Sequence, residues 1–460
     1  MSSIISTLQE KLGSEKVLTG EAVKERFNHI WLMHIPLNAK AVVMPRSTED
    51  ISLTLKICNK FNQPVVVHGG LTNLVGSTET NSEEVVISME KMNLIEEIDE
   101  KSRTMTVQAG VILEAVQNAA KEKDLLFPLN FGAKGSAQIG GAISTNAGGL
   151  RVFKYGMTRS LVLGLEAVLA DGTVISSLKK IIKDNSAYDI KQLFIGSEGT
   201  LGVITKAVLK LVEAPRSRNS AFVGINDYEK VIEFLKYMDA SLAGTLSGYE
   251  LIWNRTFQVF TTPPATMKPP LPYDYKYYVL LESLGSNQEK DNEIFQNLLE
   301  NALEKELILD AVIANTESDL KWFWTIREDV HPAVGRFTAD QHFDVSLPIP
   351  LIGDYVNEIL EKIKGDPEIE GCLTFGHVAD GNIHFIFGKP DRNQALTDKI
   401  NEMVYRPLEA IGGSVSAEHG IGSHKKTFLS LCRTEAEIQL MKTLKKVMDP
   451  KNILNRGKVI

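Results

Sequence analysis

Three glycine-dense segments, 64–76, 132–149 and 196–202, lie in the first half of this 460-residue chain and constrain its fold more than any other feature. Glycine weakens the interior of a helix or a strand, so none of the three suits a long regular element. The first runs Pro64-Val65-Val66-Val67-His68-Gly69-Gly70-Leu71-Thr72-Asn73-Leu74-Val75-Gly76 into Ser77. It is a buried-type strand leading into a loop whose glycines let backbone N–H groups turn toward one point, and such nests bind phosphate oxygens. The second, reached from Pro128, carries Gly132, Gly135, Ser136, Gly140, Gly141, Ser144, Thr145, Asn146, Gly148 and Gly149. It supplies main-chain and side-chain donors without strong positive charge. The third, Gly196-Ser197-Glu198-Gly199-Thr200-Leu201-Gly202, follows the strand-like Gln192-Leu193-Phe194-Ile195 and continues into Val203 and Ile204.

Any one cluster alone reads as ordinary turns, but three in one domain point to a ligand. None is a GxGxxG between strand and helix with an acidic residue about twenty positions on, and none is GxxxxGK[ST]. A nicotinamide Rossmann domain and a P-loop are therefore disfavoured. A large nucleotide cofactor remains, its pyrophosphate held mostly by neutral backbone donors.

Residues 40–215 alternate β-rich and amphipathic runs: 41–44, the helix-like 47–61, 64–67, then 161–169 ending at Asp171-Gly172 and restarting at 173–175. That alternation signals α/β or α+β packing. After Pro215 longer helical patterns appear (228–238, 287–305, 352–363) between strands such as 277–282, with a Pro-rich exposed loop at 261–272. A Gly/Ser turn region, 412–423, precedes a helix at 435–448 closed by Asp449-Pro450. The expected domains are a nucleotide-type domain at 1–217, a cap at 218–411 and a closing segment at 412–460.

Fifty Lys plus Arg against 58 Asp plus Glu give a formal charge of -8, and the basic runs are short, so nucleic acid is not an expected partner. Cys58, Cys372 and Cys432 make no CxxC and cannot all pair, which excludes a disulfide framework and favours a reducing compartment. Residues 1–18 are polar, with Glu10 and Glu15, and show neither a signal nor a transit pattern. No apolar run reaches the roughly 18 residues of a membrane span. The expectation is a soluble, cytoplasmic protein.

In the second half, two apolar runs meet at Asp380-Gly381, a strong hairpin signal. With those two residues as the loop, Ala379 faces Asn382, Val378 faces Ile383 and His377 faces His384. Paired residues share a sheet face about 4.5 to 5.5 Å apart, close enough for two imidazoles to share a metal ion. For the pair alone, packed or solvated histidines are the better explanation. The stretch Ser416-Ala417-Glu418-His419-Gly420-Ile421-Gly422, a source of a carboxylate, tips the balance toward a metal.

The string from Pro128 to Arg151, with Lys183-Asp184-Asn185-Ser186-Ala187-Tyr188-Asp189 and the run from Leu193 to Ile204, resembles the FAD-linked D-2-hydroxyacid dehydrogenases of the vanillyl-alcohol oxidase superfamily. Within it the chain is most similar to the D-2-hydroxyglutarate dehydrogenases, with the D-lactate and glycolate dehydrogenases near. The resemblance spans nearly the whole chain. It implies an α+β fold: a two-subdomain FAD-binding domain of the p-cresol methylhydroxylase type, an antiparallel-sheet cap, and a C-terminal segment returning to the active site. FAD is the implied cofactor, held by the residues named in the three glycine segments together with Asn455. Covalent binding is not implied, because Leu71 follows Gly69-Gly70 where covalent members often carry a histidine, and His68 lies on the other side.

The motifs His377-Val378-Ala379-Asp380-Gly381-Asn382-Ile383-His384 and Ala417-Glu418-His419-Gly420-Ile421-Gly422 match the family's ligands and base. They imply a divalent cation, zinc, on His377, His384 and Glu418, with His419 as the base and Asn382 on the substrate. Arg327, in an Arg-Glu context, is the implied anchor for the substrate carboxylate. The chain departs from the D-2-hydroxyglutarate dehydrogenases at His331 and His342, where those enzymes carry Thr and Lys near the distal carboxylate. That leaves D-2-hydroxyglutarate and a less acidic substrate such as D-lactate both open. Further expectations are an external electron acceptor, a carrier protein or quinone, and a homodimer. Two rivals stand beside this reading: a zinc hydrolase built on the same His/His/Glu set, and a non-catalytic flavin electron-transfer module.

Overall fold

The computed structural model describes residues 3–333 and 336–460, so residues 1–2 of the expected first domain lie outside the described residues. The chain forms two units. The first comprises Met1–Gly148, Gly156–Ala214 and Glu418–Ile460; the second comprises Gly149–Tyr155 and Pro215–Ala417.

In the first unit, the valine-rich runs become the parallel strands Ala41–Val43, Val85–Ser88 and Val65–His68, with the short strand Val17–Leu18 antiparallel at one edge. Strands buried on both faces read as continuous apolar runs, which is what Val65 to Val67 and Val85 to Ile87 display. The helix Thr48–Lys60 begins where Ser47 Oγ accepts the Asp50 N–H at 3.2 Å, with Glu49 and Asp50 in its first turn. The outer edge of Val65–His68 is covered by the end of the chain: Leu454 bridges Val65 in parallel, and the Asn455 N–H donates to the Val65 carbonyl at 2.9 Å. A second sheet is antiparallel throughout, in the order Ile95–Asp99, Thr104–Gln108, Val203–Lys210, Val162–Val168, Val174–Ser177. One apolar core joins both sheets and takes in Ile453 and Leu454.

The strand expected at Gln192–Ile195 does not form. A 3₁₀ turn occupies Ile190–Leu193, and Phe194 and Ile195 are buried beyond it before Gly196 turns the chain at φ 81°. A short apolar run looks the same whether a strand or a packed turn buries it.

The second unit is built on a seven-stranded antiparallel sheet. Its order is Asp310–Ile313, Ser217–Ile225, Tyr277–Gly285, Leu246–Trp253, Gly371–Gly376, Asn382–Lys389, Ala339–Ser346. The helix Glu317–Glu328, started by a Thr316/Asp319 capping box, lies over one face, with Phe323 edge-on to Phe222 at 5.2 Å. The opposite face packs on Tyr228–Leu242, where the Tyr249 hydroxyl donates to the Val231 carbonyl at 2.7 Å. Among the described residues no helix is long and apolar enough to cross a membrane.

Candidate functional site

The glycine segments of the first unit touch through their backbones. A methyl group on Gly70 would drive into the Ser136 carbonyl and come within 2.8 Å of the Ala137 Cα, so only a bare backbone fits there. A methyl group on Gly140 would likewise come within 2.6 Å of the Ala109 Cβ, whereas Gly132 and Gly141 face open space. Gly69 lies against Gln138, whose Oε1 is buried without a hydrogen-bond partner among the described residues. The third segment is tied to the second: the Gly196 N–H donates to the Ile143 carbonyl at 3.1 Å and the Glu198 N–H to the Ser144 carbonyl at 2.8 Å. Asn146 ends its helix in the left-handed region, its Oδ1 accepting the Arg159 N–H at 2.9 Å. Asn73 Oδ1 accepts the Ser77 N–H at 3.0 Å and shapes the turn before Gly76, at φ 73°. Bare, closely packed backbone and the scarcity of cationic side chains in these segments fit a cofactor whose phosphates need no strong positive charge, and the orphaned Gln138 Oε1, an acceptor, fits an N–H or O–H of that cofactor rather than a phosphate.

Other residues expected at the cofactor have their side chains committed within the unit. His68 Nε2 meets the Thr78 carbonyl at 2.9 Å, and burial pushes its pKa down to about 4, so it is neutral. Glu198 accepts from Ser77 Oγ at 2.8 Å and from the Ile421 and Gly422 N–H groups at 2.7 and 2.9 Å. Burial raises its pKa against the pull of those donors. Asn455 Oδ1 accepts the Val67 N–H at 3.0 Å, and its Nδ2 donates to the Glu198 carbonyl at 2.6 Å. Val203 and Ile204 are buried in their strand.

In the second unit the Asp380-Gly381 hairpin forms with a longer loop than expected. The strands pair Phe375 with His384, not His377 with His384. A 3₁₀ turn, Val378–Asp380, follows His377, and Gly381 closes the loop at φ 84°. The cause is local hydrogen bonding: the Asp380 and Asn382 N–H groups both donate to the His377 carbonyl, at 3.1 and 3.2 Å. The histidines are thus diagonal neighbours rather than opposite ones, yet their ring centroids still lie 5.4 Å apart at 84°.

One face of the sheet collects the polar groups. His377 Nδ1 meets Glu250 Oε1 at 2.6 Å, and Arg327 Nε donates to Glu250 Oε2 at 2.7 Å. Glu250 is fully buried; burial pushes its pKa up, and its two partners, His377 and Arg327, reverse that, leaving it below the ordinary value. The Arg327 guanidinium lies 4.8 Å from the centroid of the Phe375 ring. Asp344 pairs across the ladder with His384, 4.0 Å from its Nδ1. It accepts from Asn382 Nδ2 at 2.8 Å, and from Ser416 Oγ and the Ala417 N–H at 3.1 Å each. Asn382 also donates to the Val345 carbonyl at 3.0 Å, which leaves its Oδ1 buried with no partner among the described residues. His342 stands on the same strand face as Asp344, with Nε2 3.2 Å from Asp340. His331 is exposed past the end of the Arg327 helix. Glu418 and His419 follow Ala417 directly in the chain.

Glu250 and Asp344 are absent from the sequence-derived candidates. The available signal is an acidic residue inside an otherwise apolar strand: Leu251-Ile252-Trp253 follow Glu250, and Phe343 and Val345 flank Asp344. Such residues are almost never buried unless paired.

Residues 214–459 match the family described as FAD linked oxidases, C-terminal domain, and residues 39–177 match the FAD binding domain family. A putative mitochondrial D-lactate dehydrogenase of Schizosaccharomyces pombe is 39% identical over 446 residues, covering 95% of this chain and 84% of that protein. The mitochondrial D-2-hydroxyglutarate dehydrogenase of Danio rerio is 35% identical over 450 residues, covering 97% and 83%. The structure of p-cresol methylhydroxylase with substrate bound superposes with a TM-score of 0.76 at 16% identity, over 99% of this chain and 96% of that one, a likeness of fold.

Relatives that are mitochondrial overturn the cytoplasmic expectation. Unpaired cysteines report a reducing environment, and a mitochondrial matrix satisfies that as well as a cytosol does. Relatives that are dehydrogenases along almost the whole chain also remove the hydrolase and the non-catalytic flavin module. The chain belongs to the FAD-linked D-2-hydroxyacid dehydrogenases and is an oxidoreductase.

Proposed function

We propose that this chain oxidises a D-2-hydroxyacid of the D-lactate or D-2-hydroxyglutarate type to its 2-oxoacid, with FAD held non-covalently and a divalent cation, zinc, held by His377, His384 and Glu418. When bound, FAD supplies the acceptor for the α-hydrogen and its electron pair, and the cation supplies a Lewis acid for the hydroxyl. The electrons leave to a carrier protein or quinone.

The observation that carries this reading is the convergence of Arg327, His377, His384 and Asn382 on one sheet face, with Asn382 Oδ1 buried and unpartnered among the described residues. Arg327 binds the substrate carboxylate: its Nε is taken by Glu250, and its two terminal nitrogens form the planar fork a carboxylate matches. Asn382 is held by two donated bonds, so its side chain is a fixed contact for the substrate. His419 takes the hydroxyl proton as the α-hydrogen leaves. His331 and His342 face the far end of the substrate and set how well a second carboxylate is tolerated.

The test is anaerobic exposure of the purified yellow protein to D-lactate, D-2-hydroxyglutarate, D-malate and glycolate, and to the L-isomers where they exist, before and after chelation. Bleaching of the absorption near 450 nm by D-isomers, slowed by chelation, is expected. Bleaching by none of them removes the proposed reaction, and bleaching indifferent to chelation removes the cation.

A further inference from the structure

Glu250 is a buried carboxylate with no place in the proposed chemistry, yet it touches two side chains that have one. It lies inside the strand Leu246–Trp253, fully out of solvent, with its two oxygens divided between His377 Nδ1 at 2.6 Å and Arg327 Nε at 2.7 Å. We infer that Glu250 is a positioning residue that fixes His377 with its proton on Nδ1 and its lone pair on Nε2, while clamping Arg327 so that its terminal nitrogens face the substrate carboxylate. The inference rests on the proposed cation site and goes beyond it by assigning the residue that orients both the ligand and the anchor.

A carboxylate only accepts hydrogen bonds, so a ring nitrogen 2.6 Å from it must donate. In its metal-binding, neutral form the lone pair of His377 is then on Nε2, the ring nitrogen that would ligate the cation. Ligating histidines commonly give their second N–H to a carboxylate, and losing that partner costs about 10- to 100-fold in metal affinity. The same oxygen pair holds Arg327 by Nε alone, and Phe375 lies under the guanidinium at 4.8 Å, so the plane of the fork is fixed from two sides. One side chain therefore couples cation affinity to substrate affinity, which a purely structural ion pair would not do.

Glu282 provides the comparison. It is a buried carboxylate on the same sheet face, bound to Arg151 and Arg218 at 3.1 and 2.6 Å and touching no candidate ligand. Metal-stripped wild type, Glu250→Gln, Glu282→Gln and His377→Ala, each retaining FAD, are titrated with zinc against a chromophoric chelator. Glu250→Gln should bind zinc about 10- to 100-fold more weakly than wild type and raise KM for D-lactate, with Glu282→Gln unchanged in both. Equal zinc affinity in Glu250→Gln and wild type overturns the inference, as does equal weakening in Glu282→Gln. If wild type and His377→Ala bind alike, the cation site itself fails, a separate result. Should Glu250→Gln not fold, nitrogen-15 histidine spectra of metal-free wild type near pH 8, with His377 assigned by His377→Gln, decide. A proton on Nδ1 alone supports the inference, and a proton on Nε2 overturns it.

Discussion

Removing the Glu282 carboxylate should cost the second unit stability in a way that depends on pH. Glu282 lies in the strand Tyr277–Gly285, 1% exposed, receiving Arg151 Nε at 3.1 Å, Arg218 Nε at 2.6 Å and Ser247 Oγ at 2.8 Å. Burial raises its pKa, and the two guanidiniums outweigh burial, bringing the group from an ordinary 4.5 to about 2. A drop of roughly 2.5 at about 1.4 kcal/mol per pH unit is about 3 kcal/mol. Because the folded-state pKa is depressed, this stability is complete above 4.5 and lost as pH falls toward 2. By pH 3 about 2 kcal/mol of it should be gone. Urea unfolding followed by tryptophan fluorescence is the assay, since Trp253, Trp322 and Trp324 of the four tryptophans lie in the second unit. Glu282→Gln should be about 3 kcal/mol less stable than wild type at pH 7, with the gap narrowing by about 2 kcal/mol at pH 3. Parallel stability curves for the two proteins from pH 7 to pH 3 would refute the reasoning.

Three further outcomes follow from the sites. Gly70→Ala, with no room for a methyl beside Ser136 and Ala137, should be isolated with less than half the FAD of wild type, read from the ratio of absorption at 450 and 280 nm; full FAD content would mean that the contact between glycine segments does not shape the cofactor site. His419→Ala should keep its FAD but slow anaerobic flavin reduction about 10²- to 10⁴-fold, and near-normal reduction removes His419 as the base. His342→Lys replaces an imidazole by an ammonium, and even shared with Asp340 it should lower KM for D-2-hydroxyglutarate relative to D-lactate by roughly fivefold, about 1 kcal/mol; an unchanged ratio places His342 away from the substrate.

Local signals were legible where a few neighbouring residues decide the structure. The helices at 352–363 and 435–448 form where their periodicity places them, the second opened by a Thr434/Glu437 capping box. The glycine segments meet through backbone, as their composition suggests, and Gly70 shows why no other residue serves. Long-range partnerships were not legible. Glu250 is fixed by His377, 127 positions away, and by Arg327, 77 away, and no local pattern encodes either pairing. The hairpin is intermediate: Asp380-Gly381 marks the turn, but whether two residues or five form the loop depends on the His377 carbonyl capturing two N–H groups. Glycine 381 is compatible with both.

Charge balance ties the cation, the substrate and the specificity together. Around the proposed site, Glu250 is matched by Arg327 and His377, and Asp344 by Asn382, Ser416 and the Ala417 N–H, so the charged groups there are already committed to one another. A hydroxyacid arriving alone would bring an unmatched negative charge into a poorly solvated place, and a divalent cation alone would leave one positive charge unmatched after Glu418; either is costly. Under the proposed function, the cation's two charges are offset by Glu418 and one substrate carboxylate, so cation and substrate each strengthen the other's binding. A second carboxylate breaks that balance. The imidazole closest to supplying a counter-charge, His342, already lies 3.2 Å from Asp340. By this count a monocarboxylic D-2-hydroxyacid matches the site better than a diacid, and chelation should weaken substrate binding as well as slow its oxidation.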